Sequence, residues 1–230
     1  MTQSTHATQV VVGNDVMDLA DPRCIGRSKD RRFLERVFAP SERDHIARSQ
    51  DPDRTLWLTW AAKEAAYKVV TKLRGEPPVF EHPAFEVTEH ASDSGHVKYD
   101  GLCIPFLDYS ESRAEHVHVL AWSGEPPSDL RASVAWLPQE MAPRERFSDR
   151  ELPALYSEAS AWVRLLARDH VAHLVGVDSG ALEIICAEGR IARSPPQLWV
   201  QGRRSELDIS LSHHGRFLAW AVADPVGVRG

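Results

Sequence analysis

The stretch that most constrains this chain is the helical run over residues 54–73. In Trp57-Leu58-Thr59-Trp60-Ala61-Ala62-Lys63-Glu64-Ala65-Ala66-Tyr67-Lys68 the apolar residues 57, 60, 61 and 65 form one stripe at helical spacing. Asp53 supplies a cap, and Gly75 with Pro77-Pro78 supplies the stop. An apolar stripe of that length has to be covered, and what surrounds it reads as short strands. Strand-like runs follow at 84–88, 96–99, 102–107 and 116–122, with Asp100-Gly101 as a hairpin turn between the middle two. Before the helix, Val10-Val11-Val12-Gly13 reads as a short buried strand. Ser28 can cap a short helix over 29–38, and Ser41 can start another.

Gly124-Glu125-Pro126-Pro127-Ser128-Asp129 is the natural linker. Beyond it the order repeats, helix first and strands after. Ser148 to Glu151 fits a capping box, and a long helix covers 157–174. Strand runs follow at 182–186, 198–201, 207–211 and 217–223. Both parts end on a similar apolar phrase, His118-Val119-Leu120-Ala121-Trp122 and Phe217-Leu218-Ala219-Trp220-Ala221. The expected fold is α+β, with two similar α+β halves, 10–124 and 130–230, related by a pseudo-twofold.

Composition narrows the function classes. A net charge of −6 argues against nucleic acid or anionic membrane as a partner. No apolar run reaches the ~18–20 residues of a membrane span, and residues 1–9 lack an apolar signal core. Cys24, Cys103 and Cys186 are an odd set without C-x-x-C spacing. They read as reduced thiols of a cytoplasmic protein.

Three places carry candidate chemistry. Glu64 and Lys68 continue the apolar stripe at i+4 spacing from Trp60, where charge is costly unless something binds it. The alternative is a local surface ion pair. Asp15, in Val12-Gly13-Asn14-Asp15-Val16, sits past a buried strand, where a carboxylate can hold Mg²⁺ with water and phosphate completing the shell. Gly-Asn-Asp can equally be a simple turn. In Asp208-Ile209-Ser210-Leu211-Ser212-His213-His214-Gly215-Arg216, the side chains of Ser212, His213 and Arg216 offer donors suited to phosphate, or else form a polar hairpin turn. The histidines lack acidic partners at zinc-ligand spacing.

Together these pieces resemble the 4′-phosphopantetheinyl transferase superfamily. Val12-Gly13-Asn14-Asp15-Val16 resembles its G-x-D strand. Phe33 through Glu42, followed by Trp60-Ala61-Ala62-Lys63-Glu64-Ala65-Ala66-Tyr67-Lys68, resembles its F-x-x-x-x-x-x-x-E and W-x-x-K-E-A-x-x-K helices. Ile209-Ser210-Leu211-Ser212-His213 resembles its S-x-S-H strand. The second part is similar to the N-terminal half of the surfactin-type enzymes, with Glu188-Gly189-Arg190 before the Ser-His turn, so the halves look permuted. The first part is similar to the smaller holo-acyl-carrier-protein synthase type, so duplication is the rival origin. The second helix has Trp162-Val163-Arg164-Leu165-Leu166 where a Lys-Glu-Ala would stand, which implies one composite site.

The resemblance implies an enzyme that moves the phosphopantetheine arm of coenzyme A onto a serine of an apo acyl or peptidyl carrier protein. It implies Mg²⁺ held by Asp15 and Glu64, with Asp18 or Glu42 as secondary candidates. It assigns Glu64 to the serine proton, and Lys68 and Lys63 to the departing adenosine 3′,5′-bisphosphate. Arg190, Ser212, His213 and Arg216 would hold nucleotide phosphates. Carrier proteins present an acidic helix. Residues 23–43 carry seven basic side chains against three acids, a local +4, as a docking patch or a solvated helix face. A monomer is expected, since both sets of groups lie in one chain. A degenerate protein that binds coenzyme A or a carrier without transfer is the competing reading. A metal-dependent phosphodiesterase would need more acids for a second ion.

Overall fold

The structure is a computed structural model that describes residues 10–91, 93–112, 114–127, 129–187 and 194–224. In the first part, five antiparallel strands, β1 (Val12–Asp18), β2 (Glu86–Ala91), β3 (Ser94–Tyr99), β4 (Leu102–Asp108) and β5 (His116–Trp122), stand in the order β1-β5-β4-β3-β2. Two short helices, α1 (Arg31–Val37) and α2 (Pro40–Arg48), lead into α3 (Pro52–Arg74), which crosses one face of the sheet. Its alanines at 61, 62, 65 and 66 are fully buried, so helix and sheet approach closely. Gly13 is part of that fit. A Cβ there would stand 2.0 Å from the Ala65 carbonyl oxygen.

Local chemistry explains the boundaries, with some corrections. Asp51, not Asp53, caps α3, accepting from the Arg54 amide at 3.1 Å. Asp53 instead ties down the preceding loop through the amides of Gly26 (2.7 Å) and Ser28 (2.9 Å). Asp30, not Ser28, caps α1. Gly75 ends α3 at φ 75°, as expected of a left-handed stop. Asp100 and Gly101 both have positive φ, 45° and 77°, which closes the β3–β4 hairpin with the twist its strands need.

The second part holds β6 (Asp129–Trp136), α4 (Glu158–Val175), β7 (Leu182–Ile185), β8 (Gln197–Val200), β9 (Arg203–Arg204), β10 (Asp208–His214) and β11 (Phe217–Asp224). They form two three-stranded sheets, β10-β11-β6 and β7-β8-β9, both under α4. The expected Ser148–Glu151 box precedes only a 3₁₀ turn, Leu152–Ala154. Helix α4 is capped by reciprocal Ser157 and Ser160 bonds, each 3.0 Å. Strand β6 lies where the sequence suggested the end of a linker. It pairs along the edge of β11.

The fold is thus α+β, as expected, with a long helix followed by strands in each part but unequal sheets. Among the described residues no helix is long and apolar enough to cross a membrane. The two parts meet on a small apolar contact. Val12, Leu120 and Trp122 pack on Ala221 and Ala223, and Val16 packs on Phe217 and Ala219. The small side chains of β11 bring β10 alongside the open edge of β1.

Candidate active site

Strand β1 has β5 on one side only. Its other edge presents the amides of Val12, Asn14, Val16 and Asp18, which need acceptors because they are buried. Strand β10 supplies them from side chains rather than backbone. Val12 N–H donates to Asp208 Oδ2 (2.7 Å), Asn14 N–H to Ser210 Oγ (3.0 Å), Val16 N–H to Ser212 Oγ (3.1 Å) and Asp18 N–H to His214 Nδ1 (3.1 Å). Each pair is separated by the same 196 residues, so the two strands run parallel in fixed register. Carbonyls on the two strands are joined by lysines of α3. Lys72 Nζ donates to Val12 O (2.7 Å), Ile209 O (2.8 Å) and Asp208 Oδ2 (2.7 Å). Lys68 Nζ donates to Asn14 O (2.6 Å), Asp15 Oδ1 (3.1 Å) and Leu211 O (3.4 Å).

Asp15 is therefore in the middle of β1, not past its end, and it faces α3. Its Oδ1 also accepts the Ser212 hydroxyl at 2.8 Å. Glu64 comes from α3 beside it. Burial, then the Asp15 charge, push the Glu64 carboxyl up from 4.5 to about 7, against the opposing pull of Lys68. No described residue donates a hydrogen bond to the Glu64 carboxylate. Asp15, Glu64, Lys68, Ser212 and His213 are brought together as expected, with Ser212 spent on the seam and on Asp15.

Two cavities meet at Asp15 and His213. One, of about 320 Å³, reaches Glu64 and is floored by Phe33, Trp57 and Trp60, with Arg23 and Arg27 on its wall. The three rings touch with centroids 5.9–6.0 Å apart. The other, of about 350 Å³, is lined by Lys68, His213, Tyr156, Arg164 and Cys186. His213 Nε2 lies 3.3 Å from the Tyr156 hydroxyl. Burial, then Lys68 and Arg164, hold its pKa below the ordinary value, so the imidazole is neutral near pH 7.

Other expected site residues lie elsewhere. Lys63 has no exposed surface. Its ammonium binds Glu42 (2.8 Å) and the carbonyls of His82 (3.0 Å) and Phe85 (2.6 Å). That placement removes Lys63 from the cleft. Glu42 goes with it, its carboxylate also taking the amides of Ala39 and Val87, both at 2.7 Å. Arg216 is clamped to Asp18 (2.7 and 2.8 Å) and lies over the Trp136 ring, lining neither cavity. Asp18 is engaged by that clamp and by the Ala20 amide. Arg190 lies outside the described residues.

Sequence reasoning missed Tyr156 and Arg164. The signal for Arg164 was present, as one of two arginines at i+4 spacing, with Arg168, on the buried face of α4. The Arg164 side chain is only 6% exposed, and its Nη1 donates to the Ser160 carbonyl at 2.8 Å.

Could this pocket hold a divalent cation? Among the described residues no cluster of three or more His, Cys, Asp or Glu side chains does so alone. The Asp15–Glu64 pair fits an ion that takes two protein carboxylates and leaves the rest of its shell to water and phosphate. Two crowded carboxylates, one without a donor, are electrostatically short of positive charge.

Comparison with known proteins points to the family whose motifs the sequence carries. Over 108 residues the chain is 28% identical to a holo-(acyl-carrier-protein) synthase of Rhodopirellula baltica, covering 47% of this chain and 84% of that protein. The sequence model of the 4′-phosphopantetheinyl transferase superfamily matches residues 11–135, which run from β1 through α3 to β6 and include Asp15, Glu64 and Lys68. Matched over more than half its length, the chain belongs to the 4′-phosphopantetheinyl transferase superfamily.

Proposed function

We propose that this chain transfers 4′-phosphopantetheine from coenzyme A to a serine of an apo carrier protein and releases adenosine 3′,5′-bisphosphate. The observation that carries the reading is Asp15 standing where the two cavities join, with Glu64 beside it in the first. Residues 10–124 would form the metal side and 130–230 the nucleotide side of one cleft. Asp15 and Glu64 would hold Mg²⁺, which when bound neutralises charge on the diphosphate.

The chain's own groups do the rest. Lys68 keeps positive charge beside the reacting phosphate, fixed by two carbonyls and Asp15. Arg164 and neutral His213 line the cavity that suits the nucleotide phosphates. Ser212 lines that cavity, but its hydroxyl proton goes to Asp15, which it orients. Glu64 accepts the proton of the attacking serine, directly or through a water. The aromatic floor of Phe33, Trp57 and Trp60 suits the pantetheine arm and excludes water from it.

The carrier would dock over Arg23 and Arg27 at the mouth of that cavity, its acidic helix meeting the basic stretch 23–43. Arg23 and Arg31 expose 76% and 88% of their side chains, although each also has a local acid partner. Mixing the protein with Mg²⁺, coenzyme A and a panel of apo carriers, then weighing the carriers, tests the reading. A carrier heavier by one phosphopantetheine supports it; an unchanged panel opposes it.

A further inference from the structure

The second cavity contains a thiol that phosphopantetheine transfer has no use for. Cys186 follows β7 and is half-buried in the cavity wall, with Sγ 3.5 Å from Arg164 Nη2. Arg164 is more than nine-tenths buried, yet among the described residues no carboxylate pairs with it and its Nε finds no acceptor. A buried guanidinium in that state draws anions strongly. Lys68 adds a second cation to the same wall, where its partner Asp15, 3.1 Å away, offsets part of that charge and leaves a net positive sign. Anything small and anionic that enters is therefore concentrated beside Cys186. The other two thiols differ. Cys24 is buried, and burial pushes its thiol up to about 12. Cys103 is exposed on β4 among Lys98, Glu86 and Asp100, a wall of mixed charge.

We propose that Cys186 is a thiol–disulfide exchange site selective for small anionic disulfides, and that the adduct plugs the second cavity. The plugging rests on reading that cavity as the nucleotide pocket. The Cys186 thiol gives its proton to solvent, and the thiolate attacks one sulfur of the incoming disulfide. That S–S bond breaks as the Cys186–sulfur bond forms. The second sulfur leaves with the electron pair as a thiolate and takes a proton from solvent. Excess thiol reverses the exchange, so the block is reversible.

Three disulfides of similar size test this on the full wild-type chain: dithiodiglycolate, bis(2-hydroxyethyl) disulfide and cystamine, which are anionic, neutral and cationic. Peptide mass spectrometry follows Cys186 and Cys103 separately. With each rate divided by that of a neutral cysteine peptide, which removes the leaving-thiol difference, Cys186 is expected to favour the anionic over the cationic reagent about tenfold, a preference that added salt shrinks. Normalised in the same way, Cys103 is expected to differ by less than about threefold across the series, as its wall has no single sign of charge, Lys98 standing against Glu86 and Asp100. Equal normalised rates at Cys186 across the series, or the same preference at both cysteines, would overturn the exchange site. Adenosine 3′,5′-bisphosphate should protect Cys186. If the charge preference holds without that protection, the exchange site stands, and the plugging and the nucleotide reading of the cavity both fall.

Discussion

Ser212 donates its hydroxyl to Asp15 at 2.8 Å while accepting the Val16 amide at 3.1 Å. One side chain thus closes the edge of β1 and aims the carboxylate beside Glu64. Ser210 does the first task without the second, accepting the Asn14 amide at 3.0 Å.

The two serines can be separated by mutation. Ser210→Ala and Ser212→Ala each leave a buried amide without an acceptor, a loss of about 1–3 kcal/mol. Urea midpoints should fall in both. Folded Ser210→Ala should keep its turnover, whereas Ser212→Ala should also need more Mg²⁺. Identical metal titrations for the two variants would remove Ser212 from the site.

Lys72 is a sharper test of the seam. Lys72→Met strands the Asp208 carboxylate and two carbonyls, and should destabilise by about 3–5 kcal/mol. Adding Asp208→Asn should recover part of that loss, read by chemical denaturation. A double variant no better than the single would show that the ion pair is not the stabilising element.

Glu64→Gln should lower transfer by about 10²–10⁴-fold while the protein stays folded. Metal-free stability gives an independent readout. Below pH 4.5 the Glu64 carboxyl is protonated folded or unfolded; between 4.5 and about 7 only the folded state keeps the proton. Wild type therefore loses stability from this group as pH rises through that window, by about 3 kcal/mol in all. The glutamine variant should be the more stable protein at pH 8, with the advantage gone at pH 4. An advantage that grows toward low pH would contradict the assigned environment.

Asp15→Asn should shift the Mg²⁺ activation curve to higher concentration, with partial rescue at saturating metal. An unchanged curve would reduce Asp15 to a structural partner of Ser212 and Lys68.

A mixture of Glu64→Gln and His213→Ala proteins tests the single-chain cleft. Each is expected to be impaired, and mixing should restore nothing. Restored activity would mean that the site is shared between chains.

Much of the first part was legible because its signals are local. Trp60, Glu64 and Lys68 share a helical face, Gly75 ends α3, and β5 lies at the expected 116–122. Asp15 was misplaced at a strand end because Gly13-Asn14-Asp15 has the composition of a turn. Its strand conformation comes from α3 packed on Gly13 and from β10 across the edge. Lys63 sits beside Glu64 in sequence but about 100° around the helix, and Glu42 decides where its charge goes. Strand β6 follows two prolines, and only the edge of β11 makes it a strand. Ser212 was read as a phosphate donor because no local pattern announces that β1 lacks a neighbour.

The constant 196-residue offset across the seam also has a consequence for biosynthesis. A ribosome releases β1, α3 and β5 long before β10, so the sheet and helix can assemble around Asp15 while its edge is still open. Until β10 emerges, Asp15 has no Ser212 and Lys68 has no Leu211. The hydrogen-bonded surroundings of Asp15 and Lys68 are therefore completed only after nearly all of the described chain has been made.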